Sequence, residues 1–548
     1  VPTYLSIKAK DDFASFIKWE DLDLKNLKDI MEDEDIEKLG YEIKEDIIIL
    51  MDLGIDIKNY THDAKIAEYI LNSTKSDYDI NKISLEYFKN GYLDEEDLLG
   101  KGAKRKKYSE LEIEDLFKYF AFVLNTVYNV GDLQKEKIKE ENMISLYEDM
   151  ELPLVEVLAS MEYVGINTNI DVLNEIDREI TEKLKSLEAK IYEEADEEFN
   201  INSPKQLGII LFEKMDFPVI KKTKTGYSTS ADVLEKLKDK GEIIENILDY
   251  RKFSKLKSTY IDGLKAVINK NTNRIHSRFM QTVTSTGRIS STEPNLQNIP
   301  IKTEEGKLIR KAFLASENSI LVDADYSQIE LRVLAALSND KEMLNAFTEG
   351  LDIHRKTASE VFHVDYEDVT SLQRSEAKAV NFGIVYGISD YGLSKNLNIP
   401  RKAAKEYIDN YLEHFVGIKN YMSEEIEEGK KKGYVETIFK RRRYIPELNA
   451  KNFNIRSFGE RVALNTPIQG SAADIIKIAM VKVYSELKKR KLKSKLIIQI
   501  HDELVVDAVE DEVEEVKKIM KDLMENSVDL NVKLSVDMNT GVNLYESK

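Results

Sequence analysis

Two short apolar runs in the second half of the chain each end in acid. Residues 319–326 (SILVDADY) and 496–503 (LIIQIHDE) are rich in β-branched residues, the pattern of strands buried in a sheet that deliver negative charge to its edge. Apolar residues resume at 504–506 (LVV), so the second run predicts a hairpin with His501 and Asp502 at its tip. Elsewhere the period lengthens. Leu173, Ile176, Ile180, Leu184, Leu187 and Ile191 predict a long amphipathic helix over about 171–196, and a second long helix is predicted over about 232–266. Residues 1–146 alternate short apolar strands and helices and end in a loop-like stretch at 100–107 (GKGAKRKK) and a charged one at 135–141.

Clustered acids at a sheet edge are costly unless neutralised, and hard divalent cations with oxygen ligands do this best. Asp325 and the Asp502–Glu503 pair therefore point first to a two-metal site. Between them, Arg374, Lys378, Phe382 and Tyr386 recur every four positions and form one stripe on a helix. Two cations suit a polyphosphate, and two rings suit a sugar and a base. Acids and stripe together describe a site for in-line phosphoryl transfer from a nucleoside triphosphate. No Gly-x4-Gly-Lys-Ser/Thr occurs, which excludes P-loop chemistry.

At 548 residues the chain is too long for one core and suggests about three or four domains. There is no cysteine, which excludes disulfides and thiolate metal sites, and no apolar run long enough to cross a bilayer. No signal peptide is read, so a cytoplasmic protein is expected, and Val1 in place of methionine suggests a fragment or processed product. The net charge of −20 looks wrong for a nucleic-acid binder, but residues 1–150 hold 21 Lys+Arg against 35 Asp+Glu, and so carry 14 of the 20 excess charges. Basic clusters at 221–224, 251–257 and 440–443, with Ser203 and the hydroxyl-rich 227–230, supply donors for a duplex-tracking surface.

With these residues in view, 319–332, 374–387 and 496–506 resemble motifs A, B and C of family A DNA polymerases. Residues 286–300, 351–354 and 465–474 add three more matches in order, and the resemblance to the bacterial DNA polymerase I large (Klenow-like) fragment covers about 148–548. It implies an α/β multidomain, right-hand polymerase with palm, fingers and thumb, and an N-terminal ribonuclease-H-like, vestigial 3′-5′ exonuclease domain. The parts are placed at 1–146 (exonuclease-like), 147–276 (thumb), 277–340 and 468–548 (palm) and 341–467 (fingers). The family's 5′-nuclease domain is expected to be missing.

The implied activity is template-directed addition of deoxynucleoside triphosphates to a primer 3′ hydroxyl. Asp325 and Asp502 would bridge two magnesium ions, with manganese able to substitute and the Tyr326 carbonyl as a further ligand. Glu503 is open between direct ligand and outer charge, while Asp323 reads as an ordinary strand-end acid. Arg374, Lys378 and His354 would neutralise the triphosphate, with Lys378 protonating the leaving pyrophosphate, although His354 also reads as an ordinary helix-start residue. Phe382, Tyr386, Gln328 and Glu330 would complete the nucleotide pocket, Glu330 excluding a 2′ hydroxyl; a buried aromatic stripe is the alternative for Phe382 and Tyr386. Arg288, Asn465 and Gln469 would touch the minor-groove edge of the nascent pair, Asn295, Gln297 and His501 would be further DNA contacts, and Arg251, Lys255 and Ser203 would contact DNA from the thumb. A monomer acting on primer-template DNA in the bacterial cytoplasm, nucleoid-associated and without membrane, is expected. The alternatives are a single-subunit RNA polymerase, against which Glu330 and Phe382 speak, and a catalytically silent DNA-binding scaffold.

In the N-terminal part, Asp46 matches one exonuclease carboxylate. The opening Asp-x-Glu strand is absent and Val123 stands where an aspartate is required. Proofreading is therefore expected to be absent.

Overall fold

The protein is described here by a computed structural model covering residues 2–9, 14–92, 95–224, 226–300 and 303–548; Val1 lies outside the described residues. Both acidic runs enter one antiparallel four-stranded sheet, in the order Lys495–Ile500, Glu503–Val509, Ser319–Tyr326 and Val536–Gly541. His501 and Asp502 form the two-residue turn of the hairpin, with His501 left-handed at φ 53°.

The sheet is covered on both sides, which explains why its strands read as continuous apolar runs rather than alternating ones. Val322, Ala324, Leu504 and Val506 join the larger core with the helices Ile329–Ser338, Phe453–Lys489 and Val513–Glu525. Leu321, Ile498 and Val505 face the other way, toward Leu173, Ile176 and Ile180 at the base of the long helix Ile170–Ala195. That helix occupies the predicted span. Phe453–Lys489 runs 37 residues with Pro467 inside it, so the boundary expected at 467/468 falls within one continuous helix shared by both segments.

The second long helix is corrected. It breaks into Ala231–Glu235 and Glu242–Lys255, because Gly241 takes an extended conformation against which the Phe217 ring closes; a Cβ on Gly241 would stand 3.0 Å from that ring. Beyond Lys255 the helix continues through a widened turn, Leu256–Asp262, into Gly263–Val267.

The N-terminal part has an antiparallel pair, Tyr4–Lys8 with Ala14–Lys18, and a parallel pair, Lys38–Gly40 with Tyr60–Asp63. Its longest element is the 28-residue helix Ile113–Glu140. The charged stretch at 135–141 is therefore the solvated end of a helix, where Lys137 and Lys139 complement the C-terminal dipole.

Candidate active site

Strand register assembles the acids. Asp325 lies opposite Glu503 on one side and Asp537 on the other, and directly opposed residues share a sheet face. Asp323, two residues back, is on that face too. The turn residue Asp502 joins them from the hairpin tip, its main-chain carbonyl accepting from the Tyr326 N–H at 3.1 Å. Asp323 and Glu503 are each only 2% exposed. Both Asp323 carboxylate oxygens, Asp325 Oδ1 and Glu503 Oε1 are buried without a hydrogen-bond partner among the described residues. Asp323 is thus no ordinary strand-end acid but part of the cluster, a correction that strand pairing makes and single-strand patterning could not.

The crowding is visible in the titration of these groups. Burial, then Asp502 and Glu503, pushes Asp325 up to about 7, and burial first, with Glu330 and Glu503 adding to it, pushes Asp502 up to about 6. Asp323 is driven upward by burial and then by the neighbouring Glu503 carboxylate. Lys548 pairs with Glu503 from the solvent side. Hard, orphaned oxygens at this density fit a divalent cation. Among the described residues no three His, Asp or Glu side chains converge as a complete cage, so an ion here needs further oxygens from main chain, water or a nucleotide phosphate.

Glu330 connects the acids to the helical stripe. It sits in the first turn of Ile329–Ser338, which Gln328 opens in a left-handed conformation, with the Gln328 side chain exposed. Its carboxylate, in a residue only 8% exposed, accepts from Arg288 at 2.5 Å and from the Tyr386 hydroxyl at 3.2 Å. The helix Ser371–Val385 begins at a Thr370–Gln373 capping box and buries Ala377, Val380, Asn381 and Ile384. Arg374, Lys378 and Phe382 are left on its open side, which removes the reading of a buried aromatic stripe. Tyr386 lies one residue past the helix and is 43% exposed.

Arg374 is held by Asp352 at 2.7 Å, and the same Asp352 caps the helix Ile353–Phe362. His354 needs correction as a counter-cation. It is buried, its Nδ1 lies 3.0 Å from the Asn381 amide nitrogen, and burial lowers its pKa to about 4. With Nδ1 as acceptor, it is a neutral ring whose Nε2–H remains available as a donor.

The expected DNA-contacting residues divide into two groups. Gln469 turns its amide oxygen to the Arg288 guanidinium at 3.2 and 3.3 Å, while Asn465, one helical turn earlier on Phe453–Lys489, buries an Oδ1 that has no partner among the described residues. Gln297 bonds Gln499 at 2.9 Å, and Gln499 bonds the His501 carbonyl at 2.5 Å; Asn295 caps the Gln297 N–H at 3.0 Å. Gln499, a buried polar residue inside an apolar strand, was the signal for this chain that sequence reasoning passed over.

The thumb and basic clusters fit less well. Arg251 spends its donors on the Thr229 carbonyl at 2.5 Å and the Ile201 carbonyl at 3.3 Å, which corrects it from a free phosphate ligand to a tie between thumb loops. Ser203 caps the helix Pro204–Ile209, while Lys255 is exposed. Lys257 is paired with Asp177, and within 440–443 Arg441 is buried against Glu151 and Asp474 and Arg442 holds Glu436 at 2.8 Å, while Lys440 stays exposed. Buried or paired guanidinium groups do not serve a duplex-tracking surface.

In the N-terminal part the expected acids do not assemble. The strand Tyr4–Lys8 reads YLSIK, and Val123 packs with Val127, Val130, Ile80 and Ile83. Asp63 commits its carboxylate to the main-chain N–H groups of Ile43, Lys65 and Ile66 at 2.9–3.1 Å. Asp46 stands in the first turn of the helix Ile43–Asp52, where burial and then Glu45, Asp63 and Glu42 push its carboxyl up to about 7; among the described residues these neighbours do not reproduce the expected set.

Comparison with known proteins agrees with both halves of this geometry. The model of DNA polymerase family A matches residues 170–546, and that of the DNA polymerase I ribonuclease H-like domain matches residues 5–130. DNA polymerase I of Bacillus subtilis is 50% identical over 482 residues, 88% of this chain and 54% of that protein. DNA polymerase I of Geobacillus stearothermophilus is 47% identical over 477 residues, 87% of this chain and 54% of that protein. The chain thus spans about half the length of these curated relatives. The POL domain of Pol1 from M. smegmatis, solved in complex with DNA primer-template and dNTP, superposes with a TM-score of 0.91 at 34% identity, covering 100% of this chain and 93% of that one. The chain belongs to DNA polymerase family A.

Proposed function

We propose that the protein synthesises DNA on a template, adding deoxynucleoside triphosphates to a primer 3′ hydroxyl and releasing pyrophosphate. The observation that carries this reading is the row Glu503–Asp325–Asp537 beside Asp502, joined through Glu330 and Tyr386 to the cationic and aromatic stripe of the helix Ser371–Val385. Asp325 and Asp502, with the Tyr326 carbonyl, would hold two magnesium ions, for which manganese can substitute. Such ions, when bound, supply charge stabilisation at the attacking and leaving oxygens.

The side chains supply the rest. Arg374, oriented by Asp352, and Lys378 attract and align the triphosphate, and His354 adds a neutral N–H donor. Lys378, exposed and 5.9 Å from the Phe382 ring centre, donates a proton to the departing pyrophosphate oxygen. Phe382 and Tyr386 face the sugar and base, and Glu330 closes the 2′ side. Arg288, Asn465 and Gln469 read the minor-groove edge of the new pair, as hydrogen-bond groups on rigid elements can. The N-terminal domain does not proofread, since Asp63 spends its carboxylate on three main-chain N–H groups and neither an Asp-x-Glu strand nor an acid at position 123 stands with Asp46. The setting is the bacterial cytoplasm, with the monomer acting on nucleoid DNA; no described helix is long and apolar enough to cross a membrane.

The test is primer extension. Asp325→Asn and Asp502→Asn should bind primer-template with near-natural affinity, which backbone phosphate contacts dominate, yet lose most turnover. Near-natural turnover in either variant refutes the site.

A further inference from the structure

The N-terminal domain grips the loop that carries Arg288. Tyr69, fully buried on the helix Ala64–Leu71, donates its hydroxyl to the Thr284 carbonyl at 2.7 Å. Ser73 Oγ lies 3.2 Å from the carbonyls of both Ser285 and Arg442. Within the loop, Thr284 Oγ1 donates to the Arg288 carbonyl at 2.7 Å, so Tyr69 holds one end of a three-part chain that finishes at the arginine's own backbone.

The loop is pinned from beneath as well. Gly287 has φ 87°, and a Cβ there would stand 2.5 Å from Arg441 Nε. Arg441 is itself fixed by Asp474 at 2.8 Å and by Glu151, which also receives Lys477 at 2.6 Å. Its guanidinium lies 5.9 Å from the centre of the Tyr69 ring. From this anchored backbone the Arg288 side chain reaches Glu330 and Gln469. Phenylalanine would fill the place of Tyr69 equally well, so the hydroxyl answers to the loop carbonyl and not to core packing.

We infer that the N-terminal domain, without its own chemistry, is a positioning clamp for the polymerase site: Tyr69, acting through Thr284, sets the backbone from which Arg288 meets the nascent pair. This holds only together with the role of Arg288 proposed above. Tyr69 touches no substrate and is a positioning residue.

The test is single-turnover nucleotide addition by the whole chain, natural and Tyr69→Phe, each with and without Arg288→Ala. Tyr69→Phe should slow the addition step about three- to tenfold, the scale of one hydrogen bond, with nucleotide affinity unchanged. In the Arg288→Ala background the same change should cost nothing further, because the group being positioned is gone. A general weakening of the fold gives equal losses in both backgrounds; that result, or an unchanged rate in the otherwise natural chain, overturns the clamp while leaving Arg288 in place. An Arg288→Ala protein that elongates at the natural rate overturns the contact itself, and the clamp with it.

Discussion

Replacing Asp325 by Asn should stabilise the metal-free protein while removing its activity. In the fold the Asp325 carboxyl titrates near 7 rather than at its usual 3.8, chiefly through burial and then through Asp502 and Glu503. At about 1.4 kcal/mol per unit, ionised Asp325 costs the metal-free fold at most about 4 kcal/mol at pH 8. Because the pKa is raised on folding, the favourable contribution of the bound proton is complete below the ordinary carboxylate range and is lost as pH rises through about 7. At pH 5 the same shift therefore costs less than about 2 kcal/mol. A neutral Asn avoids this cost at every pH. At roughly 2–4 °C per kcal/mol, and with part of the strain passed to the neighbouring acids, the variant's palm transition should rise by about 5–10 °C at pH 8 and by a few degrees at pH 5. Scanning calorimetry in chelator at both values measures it. Millimolar magnesium should then raise the natural protein's transition and leave the variant's nearly unmoved. Equal transitions for the two proteins in chelator at pH 8 would refute the reasoning, because the acid row would then carry no strain for a cation to relieve.

Glu330→Ala should raise the ribonucleotide-to-deoxynucleotide ratio of kcat/KM by about tenfold or more, while slowing deoxynucleotide addition, because it also frees Arg288 and Tyr386; an unchanged ratio makes Glu330 a tether only. A primer with a mismatched 3′ end, held in magnesium without nucleotides, should keep its length, and shortening that disappears in Asp46→Ala would contradict the loss of proofreading. Glu151→Gln leaves Arg441 and Lys477 buried with Asp474 alone and should cost about 3–5 kcal/mol in urea unfolding; a cost below about 1 kcal/mol means that the network is not held by its charges.

The polymerase site was legible because its elements are local. A β-branched run ending in Asp325, a hairpin tip at Asp502 and a four-residue stripe are each written in one short stretch. What the sequence hid depends on pairing at a distance. Asp323 and Asp537 join the acid row only through strand register, and an isolated acid in a strand carries no mark of the residue opposite it. Two arginines of the basic clusters misled for the same reason: Arg441 and Arg251 look solvated along the chain and are enclosed only by partners far from them in sequence, whereas 221–224 is exposed as expected. The helix predicted over 232–266 breaks at Gly241, which packs against the Phe217 ring, a contact that no single stretch of sequence shows.

The single helix Phe453–Lys489 limits how this protein can be recombined with its relatives. At about 1.5 Å per residue it is a rod some 55 Å long, and a splice at 467/468 would cut it beside Pro467, where one rung of its hydrogen-bond ladder is already missing. The two halves of such a hybrid would carry Asn465 and Gln469 from different parents, although both must lie on one face of one rod. The segments on the two sides of 467/468 are therefore inherited as a unit. Gene shuffling should tolerate junctions in the loops flanking the thumb far better than any junction within 453–489, even though a map of the hand would draw its border there.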